Sequence, residues 1–475
     1  MMHTIVWFTD DLRITDHPAL SEALQEGTPV IGVYVVEKRW GETTEFGFAK
    51  ASNKRLAFLA QALEDLRERL ASLNIPLIVK AGAPSLEIEA LAKRYNVKTI
   101  YTHEPTGSEE AHRLNAVRRI EGVQIRSIFE KTLIHPNDLP FTIEAMPDVF
   151  TPFRKNVEAT WHVRDPLDVP HAQKNFPTVY DADKPFPDFF EPTDAIALKG
   201  GESEGLKRLR YYSFVSDALS TYKQTRNGML GFDDSSKLSP YLAHGCLSPR
   251  SIYATVRAYE ENRTANQSTY WLIFELLWRD FFTFIHLKYG DALFKVGGIR
   301  GVVLPWGRDS QAFARWTQGT TGYPLVDGAM RELKTTGYMS NRARQNAASF
   351  LTKTLGIDWR MGAAWFEHHL IDYDVSSNWG NWNYIAGVGN DAREFRFFNV
   401  ITQGERYDPQ GAFAQYWIPE LRQLEGSMVY RIHELSQEFL ESQGIARGTT
   451  YPDVMVDFKS SVNQWKQIFL NAFKT

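Results

Sequence analysis

The alternation within the first 130 residues limits the fold most. Short, continuously apolar runs are separated by amphipathic stretches. Thr4–Phe8 (TIVWF), Pro29–Val36 (PVIGVYVV), Pro76–Lys80 (PLIVK), Lys98–Thr102 (KTIYT) and Gln124–Phe129 (QIRSIF) read as strands. Helix patterns lie between them; Asn53–Leu73 places Leu56, Leu59, Leu63, Leu66 and Leu70 on one face. Strands apolar on both faces, separated by helices, predict a doubly wound parallel sheet. The expectation is an α/β domain over residues 1–130.

The next stretch breaks this rhythm. Ten of the 22 prolines fall between Pro136 and Pro192, and no period of 3.6 or 2 persists. Residues 131–201 therefore read as an extended connector with fixed turns. Helix signals dominate 202–475, which is expected to be an all-α domain. Ten of the 13 tryptophans lie at or after Trp271, so the helical part holds the unusual aromatic chemistry.

Composition excludes several classes. The net charge is -4, so a generic basic nucleic-acid binder is not indicated and any nucleic-acid site must be a local patch. The single cysteine, Cys246, permits no intrachain disulfide and suits a reducing compartment. In GCLSPR it reads as a small core residue, with a nucleophile as the sharper alternative. No apolar run approaches the roughly 18 residues of a membrane span. MMHTIVWF leads directly into a strand with no basic leader. The expected location is the cytoplasm, with no membrane partner.

The run Asp372–Asn399, DYDVSSNWGNWNYIAGVGNDAREFRFFN, concentrates Trp, Tyr, Asn, Asp and Gly where an ordinary core would be aliphatic. As a helix it puts Asp374, Asn378 and Trp382 at i, i+4 and i+8, on one face. An acid, an amide and an indole side by side suit a flat, polar-edged, redox-active ring.

Three further runs carry chemistry, each with a plainer reading beside it. Trp271–Asp280 (WLIFELLWRD) sets Glu275, Trp278 and Arg279 at i, i+3 and i+4. The plain reading is a surface Glu–Arg pair on an amphipathic helix. The apolar surroundings instead predict burial, and a buried charge needs a partner or a purpose. Thr335–Arg344 (TTGYMSNRAR) brings Asn341, Arg342 and Arg344 to a helix start, where Ser340 or Asn341 could simply be the cap. In the functional reading Arg342 faces a phosphate and Arg344 turns toward a carboxylate such as Asp372. Arg331, Lys334, Arg393, Arg396 and Arg406 would add a basic rim; a solvated charged face is the alternative. Asp233–Pro240 (DDSSKLSP) clusters hydroxyls before a helix-like YLAHGCLS segment, with Tyr222 and Lys223 upstream. Such a start can bind phosphate or merely cap a helix. No Walker P-loop, no full GxGxxG after the first strand, no CxxC and no HExxH is present, and no metal site is expected.

Taken together these segments resemble the photolyase/cryptochrome flavoproteins across nearly the whole chain. WFTDDLRITDHPAL (Trp7–Leu20) is similar to their N-terminal signature. TGYPLVDGAMREL (Thr321–Leu333), MSNRARQNAASFL (Met339–Leu351), DWRMGAAWF (Asp358–Phe366) and the 372–399 run resemble their flavin domain. LPF (Leu139–Phe141), PDVFTPFRKNVE, YKQTRNGMLG and NWGNWNY point to the DASH type.

The resemblance implies an antenna-binding domain over 1–130 and a folded FAD bound by 202–475. It implies that Tyr222, Ser235, Ser236 and Ser239 hold the phosphates, with Lys237 and Leu238 in the same cofactor-binding segment. Arg279, Asn341, Arg344, Asp372, Asp374 and Asn378 would line ring and sugar. A neutral Asn378 facing flavin N5 suits a fully reduced, anionic flavin. Trp382, Trp359 and Trp306 align with the family's electron-transfer chain, although each could be core packing. Glu275 and Trp278 match residues that touch a damaged pyrimidine dimer. Arg342 would position the DNA backbone, and Gln345 and Tyr384 replace the Met and second Trp of duplex-repairing members. A folate antenna, 5,10-methenyltetrahydrofolate, would bind near HEPTGSEEA (His103–Ala111), with Glu109 or Glu110 as ligand.

The activity implied is light-driven repair of cyclobutane pyrimidine dimers, a deoxyribodipyrimidine photo-lyase reaction, mainly in single-stranded DNA, by a monomer. The alternatives are a blue-light photoreceptor without repair, less favoured for want of a long tail after VNQWKQIFLNAFKT, and a single-stranded DNA- or RNA-binding flavoprotein.

Overall fold

The computed structural model describes residues 2–174, 197–391 and 395–473. The chain divides into two compact units. One comprises Met1–Lys223, Ser236–Gly290 and Ile371–Ser377; the other comprises Gln224–Ser235, Asp291–Leu370 and Asn378–Thr475.

The first unit is built on a five-stranded, all-parallel sheet of order β3-β2-β1-β4-β5. The strands are β1 His3–Phe8, β2 Val30–Val36, β3 Leu77–Ala81, β4 Val97–His103 and β5 Gln124–Ile128. Every residue of β1 and β2 is buried, as apolar side chains on both faces require. Ile5 sits between Ile31 and Ile100 in the register, and Ile88, Leu91, Leu114 and Val117 of the covering helices pack onto this layer. The edge strand β5 is more exposed.

Much of the N-terminal signature serves this fold. Arg13 donates to Glu130 (2.8 Å) and to the carbonyls of Asp16 and Gly245. Asp16 accepts two bonds from Arg250 (3.0 and 2.6 Å). Glu202 accepts from the amides of Ile14 and Thr15 and from Arg69. Asp11, His17 and Glu130 bring ligand atoms within 4.8 Å of one another. His17 caps the helix Pro18–Gln25, its Nδ1 accepting from the Leu20 amide at 3.1 Å. The proton of the neutral ring then sits on Nε2, toward Asp11 at 3.1 Å, and leaves no lone pair for a cation.

A ten-residue helix, Phe150–Ala159, lies within the stretch expected to lack regular elements. Phe150, Phe153 and Val157 fall at helical spacing and are buried; Phe153 meets Phe281 and Phe284. Short spacing between prolines had hidden that stripe. Residues 175–196 of the connector lie outside the described residues.

The helix Gln267–Tyr289 starts at an Asn266 cap that accepts from the Ser268 and Thr269 amides, and ends at Gly290. Its Asp280 is fully buried and accepts from the amides of Leu133 (3.0 Å) and Ile134 (2.9 Å). Burial pushes the carboxyl up to about 7, although both amides and Arg279 pull it down. Asp280→Ala strands two buried N–H donors and should lower stability by roughly 2–4 kcal/mol. Urea unfolding reads this directly; a loss below about 1 kcal/mol would mean that the 133–134 segment finds other acceptors.

The second unit is helical. Asp327 of TGYPLVDGAMREL is buried and accepts four bonds, from Thr321 N and Oγ1, Gly322 N and the Tyr451 hydroxyl. This motif too is scaffold. No helix among the described residues is long and apolar enough to cross a membrane. Cys246 is fully buried in the first unit and burial pushes its thiol up to about 12, as a packed residue demands.

Candidate functional site

In the first unit the acidic part of the 372–399 run is buried. Asp374 lies just ahead of the helix Val375–Ala386 and caps it, accepting from the Ser377 amide at 2.8 Å. Its other oxygen meets Lys131 Nζ at 2.6 Å, and both side chains are nearly excluded from solvent. Burial alone would raise this carboxyl, but Lys131 and Arg279 outweigh it and hold Asp374 well below the usual carboxylate range. Asp372 is buried and accepts from Ser239 Oγ at 2.7 Å.

Arg279 donates to the carbonyls of Lys131 and Leu242, the latter at 3.3 Å. Glu275, Trp278 and Arg279 are half-buried, short of the full burial expected; the inward turn of the helix takes Asp280 instead. Trp278 is anchored by Phe150, ring centroids 3.7 Å apart and planes 11° from parallel.

The segment Ser236–Leu238 is buried, whereas Ser239 is exposed apart from its bond to Asp372. Lys237 takes a left-handed φ of 56°, which costs a non-glycine residue about 1–2 kcal/mol, and Arg208 donates to the Ser236 carbonyl at 2.9 Å. The helix expected over YLAHGCLS stops at Ala243. Gly245 follows at φ +64, outside helical geometry, and only glycine fits there, since a Cβ would stand 2.0 Å from the Asp10 carbonyl oxygen. Tyr222 is buried edge-on to Tyr212. Glu109 is half-exposed; against the cost of partial burial, Lys50 and Arg39 hold it charged. Glu110 pairs with Arg113 at 2.7 Å.

In the second unit, Asn378 and Trp382 are buried one turn apart and both touch the helix Trp359–His369. Asn378 Nδ2 donates to the Ala363 carbonyl at 3.0 Å, which fixes the plane of the amide. Trp382 lies on Gly362, where an added Cβ would meet its Cη2 at 2.2 Å. Trp359 opens that helix and donates to the Val296 carbonyl at 3.0 Å. Ser235 is half-buried. Lys353, from the wide turn Phe350–Thr354, donates to the Ala386 carbonyl at 2.6 Å and so holds the end of the Asn378–Trp382 helix. Burial pulls this ammonium down to about 7.

Ser340 caps the helix Asn341–Ser349, accepting from Ala343 N, so that Asn341 becomes its first residue. Arg344 donates to the Met339 carbonyl at 2.8 Å. Arg342 lies over Tyr407 (4.3 Å to the ring centroid) and donates to Gln345 at 3.1 Å and Asn227 at 2.8 Å. Burial lowers its guanidinium pKa; Arg226, Arg396 and Arg406 add to that, with partial offset from Tyr407. Four cations sharing one patch favour an anion beside them. Arg331 does not join that patch: it pairs with Glu420 at 2.7 Å. Lys334 is exposed, and Arg393 lies outside the described residues. The Tyr384 hydroxyl accepts from Arg396 at 3.1 Å. Lys131, Tyr407 and Lys353 carried no sequence signal, and Arg226 and Asn227 only that of the YKQTRNGMLG motif, because each acquires its role from distant partners.

The donor set fits a flavin nucleotide. In the first unit the buried acid Asp374 suits a polar ring edge and the Ser236–Ser239 segment offers hydroxyls and backbone for phosphate; in the second unit, taken by itself, Asn378 offers a buried amide of fixed plane.

Comparison with known proteins agrees in kind. Residues 4–172 match the family described as DNA photolyase, and residues 271–471 match the FAD binding domain of DNA photolyase. A protein named cryptochrome DASH from Synechocystis sp. is 47% identical over 474 residues, covering 98% of this chain and 97% of that protein. The crystal structure of Synechocystis sp. PCC6803 cryptochrome superposes with a TM-score of 0.95 at 46% identity, over 98% and 99% of the two chains. A bacterial class III photolyase from Agrobacterium tumefaciens gives 0.87 at 29% identity, over 100% and 98%.

Proposed function

The chain belongs to the cryptochrome DASH group of the photolyase/cryptochrome family, and on that premise we propose that it repairs cyclobutane pyrimidine dimers in light, mainly in single-stranded DNA. The single observation that carries this reading is the half-buried face of the helix Gln267–Tyr289. There a carboxyl, Glu275, and an indole pinned by Phe150, Trp278, stand one turn apart. An apolar plane beside an acid is what a stacked pair of pyrimidines with carbonyl edges requires.

When bound, FAD supplies the light-driven single-electron chemistry of ring opening. The protein's part is to place and stabilise. Asp372, Asp374 and Arg279, with Asn341, Arg344 and Asn378, orient the ring and sugar; Tyr222 and Ser235–Ser239 hold the phosphates. The helical domain so assigned is 202–475, and the α/β domain 1–130. Glu275 hydrogen-bonds the dimer carbonyls and stabilises charge that develops on them. Trp278 presents the stacking face. Arg342, relieved of like-charge repulsion by a phosphate, positions the backbone without reading sequence. Trp382, Trp359 and Trp306 relay electrons inward. A folate near Glu109 or Glu110 gathers light. The protein acts as a cytoplasmic monomer.

Strand preference follows from stacking area. Enzymes that extract bases from a duplex, photolyases among them, overcome a few kcal/mol of unstacking. Tyr384 and Gln345 offer less apolar surface than Trp and Met, so less of that cost is offset.

The test is repair of one dimer in single-stranded, duplex and RNA oligonucleotides, in light and in darkness. Dimer loss is expected in light only, fastest in single-stranded DNA. Glu275→Gln should slow it about 100-fold with flavin still bound. Flavin that responds to light while dimers persist would indicate a photoreceptor; tight binding to single strands without turnover would indicate a binding protein.

A further inference from the structure

A fourth indole stands at the outer end of the tryptophan series. Trp465, on the helix Phe458–Ala472, stacks on Trp306 with ring centroids 5.2 Å apart and planes 21° from parallel. The seat is shaped for an indole. Gly356 (φ +65) lies directly beneath Trp465, and a Cβ there would stand 2.0 Å from its Cε2, Cζ2 and Nε1. No side chain fits between them.

The backbone around this seat is laced to the next tryptophan inward. Gly307 N donates to the Gly356 carbonyl at 2.8 Å, and Asp358 N donates to the Gly307 carbonyl at 2.9 Å. Asp358 caps the helix that Trp359 opens. The neighbour of Trp306, the glycine under Trp465 and the start of the Trp359 helix thus form one short ladder. Trp306 is half-buried, Trp465 is buried, and the indole Nε1 of Trp306 is buried without a hydrogen-bond acceptor among the described residues.

We propose that Trp306 and Trp465 work as a single redox unit, a stacked indole pair that shares the positive charge left when an electron moves inward to Trp359. This deepens the proposed function and rests on its reading of Trp382, Trp359 and Trp306 as donors. Overlapping π systems spread a radical cation over both rings, and the negative face of one indole attracts positive charge on the other. The unsatisfied N–H adds a second effect. With no acceptor at hydrogen-bond distance among the described residues, no described protein group takes the proton of oxidised Trp306, which favours the cationic form that gains from stacking. One electron leaves the pair and returns oxidised Trp359 to neutral tryptophan, so the pair becomes a radical cation. An external thiol then gives one electron to the pair and its proton to water, and two resulting thiyl radicals join as a disulfide.

The test uses the flavin-loaded protein and two variants, Trp465→Phe and Trp306→Phe, with transient absorption after a flash and circular dichroism in darkness. In wild type, dark circular dichroism should contain the exciton couplet of stacked indoles, lost equally in both variants. Without thiol, the tryptophan radical cation of Trp465→Phe should decay several-fold faster than that of wild type, while Trp306→Phe should lose the long-lived signal. A Trp465→Phe protein with the wild-type radical spectrum and lifetime overturns the shared pair and leaves the donor reading standing. No tryptophan radical in wild type overturns both. If Trp465→Phe does not fold, the wild-type couplet decides by itself, since its absence rules the pair out.

Discussion

Replacing Asp374 by alanine should cost about 3–5 kcal/mol of stability and leave a protein that no longer retains flavin. The reason is the partner left behind. Lys131 Nζ lies 2.6 Å from Asp374 with both side chains almost fully enclosed, so the variant buries an ammonium that has lost its directly paired counter-charge. The Ser377 amide also loses its acceptor at the start of the helix that carries Asn378 and Trp382. Asp374→Asn keeps a capping oxygen but not the charge, and should fall between wild type and alanine. The sign with pH is fixed. Asp374 has a folded pKa below the ordinary 3.8, held there by Lys131 and Arg279 against burial. Its contribution is complete above the unfolded value and disappears as pH falls through the folded one. Near neutral pH the difference between wild type and Asp374→Ala should therefore be flat, and it should shrink only in strong acid. Urea unfolding over that pH range measures it. A difference below about 1 kcal/mol at neutral pH would mean that this buried ion pair contributes little to the fold.

The second large effect concerns electrons. Trp382→Phe should nearly abolish reduction of bound flavin by light and external thiol. Phenylalanine fills most of the space left between Phe366 and Trp316, so folding should change little. Gly362→Ala tests the same point from the other side. Its Cβ would meet the Trp382 ring at 2.2 Å and Leu351 Cδ2 at 2.5 Å. It should displace the indole and cost about 1–3 kcal/mol through overpacking. Repair by chemically pre-reduced Trp382→Phe should persist, because the relay only recharges the enzyme. Wild-type photoreduction in this variant would direct attention to Trp379, which meets Trp359 edge-on at 5.7 Å.

Local patterns announced the sheet almost residue by residue, because strands buried on both faces leave continuous apolar runs. The helical spacing of Asn378 and Trp382 was equally visible, whereas Asp374, expected on the same helix, precedes it and serves as its cap. Pairings between distant segments were not visible. Lys131 reads as one lysine in a proline-rich connector, yet it neutralises Asp374. Arg279 was expected to be buried with a partner, but that its partners are the Lys131 and Leu242 carbonyls could not be read from its neighbours in sequence. The helix Phe150–Ala159 was masked by surrounding prolines, although its Phe150 is what anchors Trp278. A resemblance in sequence also mixes scaffold with site. In the N-terminal signature Asp11, Arg13, Asp16 and His17 are buried structural groups.

The most direct test is the absorption spectrum of the purified protein, before and after incubation with FAD and after illumination with thiol. One flavin per chain is expected, visible as an oxidised flavin band that bleaches in light. Colourless protein that folds normally but takes up no FAD would contradict that.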